Sequence, residues 1–146
     1  MTISDSEKLD RIYRWVSKQN SAYPLPPLVS TTAGSLGVHP HDCPTLMTFN
    51  EAEKTVAFLG EGWRIPTLEE LRILYNNKDN IGGFKTAANP SGSDCPDWYW
   101  SSTEIRDYPS YVHTVRFSDG LESWNHKDYT RLSCRPVRLV AAPSLG

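Results

Sequence analysis

The sequence predicts an α+β domain, and three observations lead there. Three stretches within the first 75 residues repeat apolar residues at helical spacing. The second half breaks into short runs rich in Trp, Tyr, Val and Phe. Between two of those runs stands SDG, Ser118–Gly120, a hairpin-turn signal. Helices followed by a meander of short antiparallel strands is the order of an α+β fold. At 146 residues the chain is long enough to bury one ordinary core.

The elements follow in chain order. Residues 5–19 are expected to form an amphipathic helix, with Leu9, Ile12, Tyr13 and Val16 on one face and Ser4 or Asp5 as cap. From Tyr23 to Pro44 the pattern is broken by Pro24, Pro26, Pro27, Gly34, Gly37, Pro40 and Pro44. Proline removes a ladder donor and restricts the residue before it, so this stretch reads as an extended connector. The expected organisation is therefore a leading helix and connector over 1–45, a main domain over 46–140 and a short tail over 141–146.

A second helix is read in FNEAEKTVAFL, with Asn50 as N-cap and Glu53 at capping-box spacing. Ala52, Val56 and Leu59 mark its buried stripe, and Gly60 and Gly62 end it. A third opens in GWRIPTLEEL, where Thr67 is the N-cap, Glu70 its reciprocal partner, and Leu68, Leu71, Leu74 and Tyr75 face inward. Trp63, Arg64 and Pro66 stand directly before it. Trp63 carries a large apolar surface suited to a core. The planar fork of Arg64 suits fixed carbonyls or a carboxylate. Together they read as a lock on the helix start rather than an anion grip. WYWSS, YVHTVRF, LESW and residues 131–140 read as strands, with Trp100 in the core.

Composition excludes several classes. A net charge of −2 and a pI near 6.1 give no basic field for nucleic-acid phosphates. No apolar run approaches the ~20 residues that span a bilayer, so membrane insertion is not expected. The N-terminus lacks a charged-then-apolar signal pattern, which points to bacterial cytoplasm, non-classical export or a phage particle. Cys43, Cys95 and Cys134 are an odd number without CxxC spacing, so three reduced thiols are expected rather than a zinc site.

GWRIPTLEELRILY, YWSSTE, VRFSDG and SCRPVR, in that order, resemble the bacterial C-type-lectin-like domains typified by the C-terminal domain of the Legionella collagen-like protein. The likeness runs from about Thr48 to Arg138 and implies two core helices packed on short twisted antiparallel sheets. It also makes Arg135 a structural residue of the last strand. The same scaffold serves the variable proteins of diversity-generating retroelements and, with chemistry added, formylglycine-generating enzymes. Family members often pair a helix cysteine with the cysteine matching Cys134; Val56 or a neighbour stands there instead. The calcium signatures of animal C-type lectins are absent, WNH at Trp124–His126 being a faint echo, so structural calcium is unsupported.

Chemistry has few handholds. His39 and His41 form an HxH without a third ligand, and Asp94 and Asp97 flank Cys95-Pro96 in what reads as a loop. No phosphate loop or nucleophile elbow is present. No catalytic residue, metal ligand or cofactor is assigned. Binding is better supported, because seven of the twelve Trp and Tyr fall between Trp98 and Tyr129, interleaved with polar residues. The expected contact surface comprises Tyr108, Tyr111, His113, Trp124, Asn125, His126, Lys127, Asp128, Tyr129 and Arg131, on loops 106–111 and 124–131. Its expected partner is a surface glycan or protein, met by an adhesin or a phage-type receptor-binding protein. The leading helix is expected to support a homo-oligomer. Two other readings stand beside this one: a formylglycine-generating-type oxidase or degenerate relative, and an intracellular interaction module of a phage or mobile element.

Overall fold

Residues 28–31, 34–87 and 95–140 are described by the computed structural model; the expected helix over 5–19 lies outside them. Two strands, β1 (Leu28–Thr31) and β2 (Gly34–Val38), pair antiparallel, and β2 pairs in turn with β7 (Val137–Val140). This corrects the expectation of a connector. The prolines bracket residues 28–38 without entering them, leaving the backbone donors free to pair. Leu36 and Val38 are fully buried.

Helix α1 (Phe49–Phe58) begins two residues earlier than expected. Thr48, not Asn50, is the cap: its Oγ1 accepts from the Glu51 N–H, and the Glu51 carboxylate accepts from the Thr48 N–H. That register puts Phe49 in the first turn, buried edge-on against Trp100 with ring centroids 5.8 Å apart. Helix α2 (Leu68–Asn76) starts with the Thr67–Glu70 box as read from sequence, and a short α3 (Lys78–Ile81) follows it.

The second sheet has the order β5-β4-β3-β6, from β3 (Cys95–Ile105), β4 (Tyr108–Arg116), β5 (Glu122–His126) and β6 (Leu132–Ser133). Asp97, expected in a loop, lies buried on β3 and accepts from the Ser118 hydroxyl. Arg106 and Asp107 form the whole β3–β4 turn, with Asp107 at φ 70°, so the expected 106–111 loop is mostly strand. Gly120 closes the next turn at φ 83°, where a Cβ would lie 2.8 Å from the Tyr75 ring.

Register decides what each face of this sheet carries. Trp100 pairs with Thr114 and Tyr99 with Val115, and neighbouring residues on a strand point to opposite faces. Trp100 and Val112 pack with Phe49, Ala52 and Val56 of α1. Tyr99, Val115 and Phe117 pack with Leu68, Leu71 and Leu74 of α2. The sheet is thus covered by one helix on each side.

Arg64 joins the pieces. Its guanidinium forks onto Glu70 at 2.6 and 2.8 Å, and its backbone exchanges two hydrogen bonds with Val137. Glu70 Oε1 also accepts from the Thr67 N–H, so one carboxylate holds both the cap and the arginine. Pro66 is buried, and its carbonyl takes the Ser102 N–H at 2.8 Å. Trp63 is half-buried and outside both core clusters, a correction of its expected core position. Its ring meets the edge of His39 and lies under the Arg138 guanidinium, 4.9 Å away. Thr67→Ala is expected to cost about 1 kcal/mol, the usual loss for an N-cap hydroxyl, because the Glu70 N–H loses its acceptor while the backbone N–H at 67 still bonds the Glu70 carboxylate. Urea denaturation would check this; no change in midpoint would mean the cap does not hold the helix start.

Candidate functional site

The β4–β5 ladder sets the geometry of the aromatic residues. Tyr111 stands opposite His126 and His113 opposite Trp124. Main-chain bonds at the two ends, Lys127 N–H to Ser110 C=O and Arg116 N–H to Leu121 C=O, fix which pairs exchange hydrogen bonds. By alternation, Tyr111–His126 and His113–Trp124 are non-hydrogen-bonded pairs, whose side chains approach most closely. They share the α2 face with Tyr99 and Val115, beyond the part the helix covers.

There the rings form a continuous row. Trp124 meets Tyr111 at 5.1 Å, Tyr111 meets His126 at 5.0 Å, and His126 stacks on Tyr129 at 4.1 Å. Trp124 is 53% exposed and Tyr129 83%, so large apolar surface faces solvent at both ends. His126 Nδ1 accepts the Asp128 N–H at 3.0 Å, which leaves the neutral ring's proton on Nε2. Beside the row, Arg72 of α2 forks onto Glu122 at 2.6 and 2.7 Å, and that arginine holds the Glu122 carboxyl below its ordinary range.

The remaining residues expected to bind ligand are placed elsewhere. Asn125 lies on the opposite face and accepts from the Thr114 hydroxyl at 2.8 Å. Lys127 reaches Glu104 at 2.7 Å and lies over the Phe49 ring. Asp128 bonds Asn50, Arg131 lies 3.6 Å from Glu51, and the Phe49 N–H bonds the Lys127 carbonyl. These polar groups thus tie the turn after β5 to the first turn of α1. Tyr108 is exposed at the start of β4, outside this run of ring contacts.

A buried polar network lies around Arg135, and sequence reading did not find it. Arg135 is fully buried, with Nε on Asp42 at 2.8 Å and Nη1 on the carbonyls of His39 and Gly82, each at 3.1 Å. Tyr99 donates to the other Asp42 oxygen at 2.6 Å and accepts the Lys85 N–H. Burial, then the Asp42 charge, pushes the Tyr99 phenol far up, so it remains a donor. Gly83, at φ 80°, leaves room for the guanidinium, since a Cβ there would stand 3.0 Å from Nη2. Cys134 is the buried neighbour of Cys43, whose N–H donates to its carbonyl at 2.8 Å. Its contact with Cys43, then burial, favours the protonated form and pushes the Cys134 thiol up. Among the described residues no three His, Cys, Asp or Glu are grouped to hold a metal ion, and no helix is long and apolar enough to cross a membrane.

A helix-braced sheet with an open, ring-bearing face has the build of a binding domain. Over residues 14–138 the chain matches the family model described as the Lcl C-terminal domain, and it belongs to that family. That description refers to the C-terminal domain of the Legionella collagen-like protein. The match reaches back well into the segment read from sequence as a leading helix and connector. No curated protein matches the chain.

Proposed function

We propose that this chain is a C-type-lectin-like domain that binds a surface glycan or protein without catalysis, through the row Trp124–Tyr111–His126–Tyr129. One observation carries the reading: four rings in mutual contact line a sheet face that α2 leaves open, with the two end rings more than half exposed. Ring faces present large rigid surface at low entropic cost, against sugar rings or against a partner's apolar anchors. His113 and the Arg72–Glu122 pair border the row and supply polar contacts for orientation. Membership in the Lcl C-terminal domain family supports an adhesin-like role. The motif order through GWRIPT, YWSST and FSDG supports the lectin-like scaffold, which also suits a phage-type or retroelement-diversified receptor-binding protein.

The test is capture on arrayed glycans and host-surface extracts. Trp124→Ala combined with Tyr129→Ala is expected to weaken capture by about 30-fold or more, the scale of losing exposed aromatic hot spots. The melting temperature should move by only a few degrees, because both rings stand on the surface. Unaltered capture by the double variant would remove this surface from the proposal. Enrichment of sugars separates the glycan reading from that of a protein-interaction module, which would enrich one polypeptide.

A further inference from the structure

β5 ends its sheet, and among the described residues nothing pairs with its outer side. The ladder bonds at its two ends place Leu121, Ser123, Asn125 and Lys127 toward β4. By the alternation of an antiparallel ladder, the N–H and C=O groups of Glu122, Trp124 and His126 therefore point outward. Such an edge is a template for another strand, and soluble proteins usually guard it with lysine, proline or a bulge. No lysine, proline or bulge stands between Glu122 and His126, and the one charged residue there, Glu122, is engaged by Arg72.

We propose that a second copy of this chain fills the edge, the two β5 strands pairing antiparallel about a two-fold axis at Trp124. This register is self-complementary. It sets Trp124 opposite its own copy and Glu122 opposite the partner's His126, so a carboxylate meets an imidazole at both ends and like charges never face each other. The three outward-facing residues of each strand then match their counterparts as hydrogen-bonded pairs, the isologous contact that a two-fold axis demands. Glu122 keeps Arg72 on its other side, which leaves an Arg–Glu–His chain of polar contacts. Because antiparallel strands in one sheet relate by an axis normal to it, the same face of both copies looks the same way. The two ring rows therefore meet at the paired Trp124 side chains, and each copy contributes half of one longer surface. That doubled surface rests on the ligand reading above; the strand pairing does not.

Sedimentation of the full chain across about 10–200 μM tests the pairing. The expected result is a reversible dimer that Glu122→Pro weakens by at least about tenfold. Proline removes a donor that faces away from β4, so the domain itself should keep its fold, checked by its thermal transition. His126→Glu alone should weaken the dimer by setting a second carboxylate opposite Glu122, and Glu122→Arg alone by removing the carboxylate that meets the His126 imidazole. The combined swap should restore it to within about threefold of the original. A chain monomeric over the whole range, a dimer indifferent to Glu122→Pro, or a swap that fails to restore association would each overturn the proposal. Unaltered capture by Trp124→Ala/Tyr129→Ala in a chain that still dimerises would count against the ring surface alone and leave the strand pairing standing.

Discussion

Arg135→Ala is expected to destabilise the domain by about 3–5 kcal/mol, the cost of removing one partner from a buried ion pair. The side chain is 0% exposed and its partner Asp42 8%. Truncation would strand the Asp42 carboxylate with only the Tyr99 hydroxyl, and would leave the His39 and Gly82 carbonyls without this donor. It would also remove the guanidinium from the Phe84 ring, 4.0 Å away, and open a void beside Gly83. Arg135→Lys should recover only part of the loss, since a point charge cannot hold Asp42 and two carbonyls with one planar fork. Thermal or urea unfolding reads the effect directly. A loss below about 1 kcal/mol for Arg135→Ala would show that the network is bystander polarity, and that packing with the main-chain bonds of His39 and Cys43 to Pro136 and Cys134 holds the 39–43 segment in place.

What was legible in the sequence was local. Thr67 and Glu70 stand three apart and satisfy each other's backbone donors whatever surrounds them, so the start of α2 could be read from six residues. The start of α1 shows the limit. TFNEAE contains two overlapping boxes, Thr48 with Glu51 and Asn50 with Glu53. The choice between them falls to Phe49, which must reach Trp100 across the core, and no local rule contains that contact. The same applies to the site. Composition pointed to rings between Trp98 and Tyr129, yet adjacency in sequence says little about which side chains share a face. Asn125 sits between Trp124 and His126 and points the other way because strands alternate. Asp128, Arg131 and the Lys127 carbonyl look like part of a polar rim in sequence, but their partners are on α1, some 75–80 positions earlier, while the Lys127 ammonium pairs with Glu104 of β3. Strands β1 and β2 are hidden in the sequence because proline density masks a proline-free window, and the pairing of β2 with β7 joins parts of the chain about 100 residues apart.

Acid should weaken the fold through His39, over a window that opens near pH 6.5. This histidine is 3% exposed, edge-on to Trp63, and its pKa falls from 6.5 to about 4. Burial disfavours the imidazolium most; the His41 backbone bond opposes that shift, and the nearby Arg135 charge adds to it. The sign follows from proton counts. Between pH 6.5 and about 4 the unfolded chain binds a proton at this position that the folded chain does not, so stability falls as pH falls through that window. The loss should total about 3 kcal/mol, with little further contribution from His39 below the window and none above about pH 7.5. Glu70 behaves separately. Burial alone would raise its pKa, but the Arg64 fork and the Thr67 bonds bring it below 4.5, so its contribution is lost only as pH drops further. Urea midpoints measured from pH 8 to 4.5, for the original chain and for His39→Gln, isolate the histidine. The original should lose stability steadily below about pH 6.5, while the variant, whatever its absolute stability, should show a shallower slope there by about 1.4 kcal/mol per pH unit. Equal slopes in both proteins would mean that His39 takes up its proton in the folded state as readily as in the unfolded chain, and that the segment holding it opens to water.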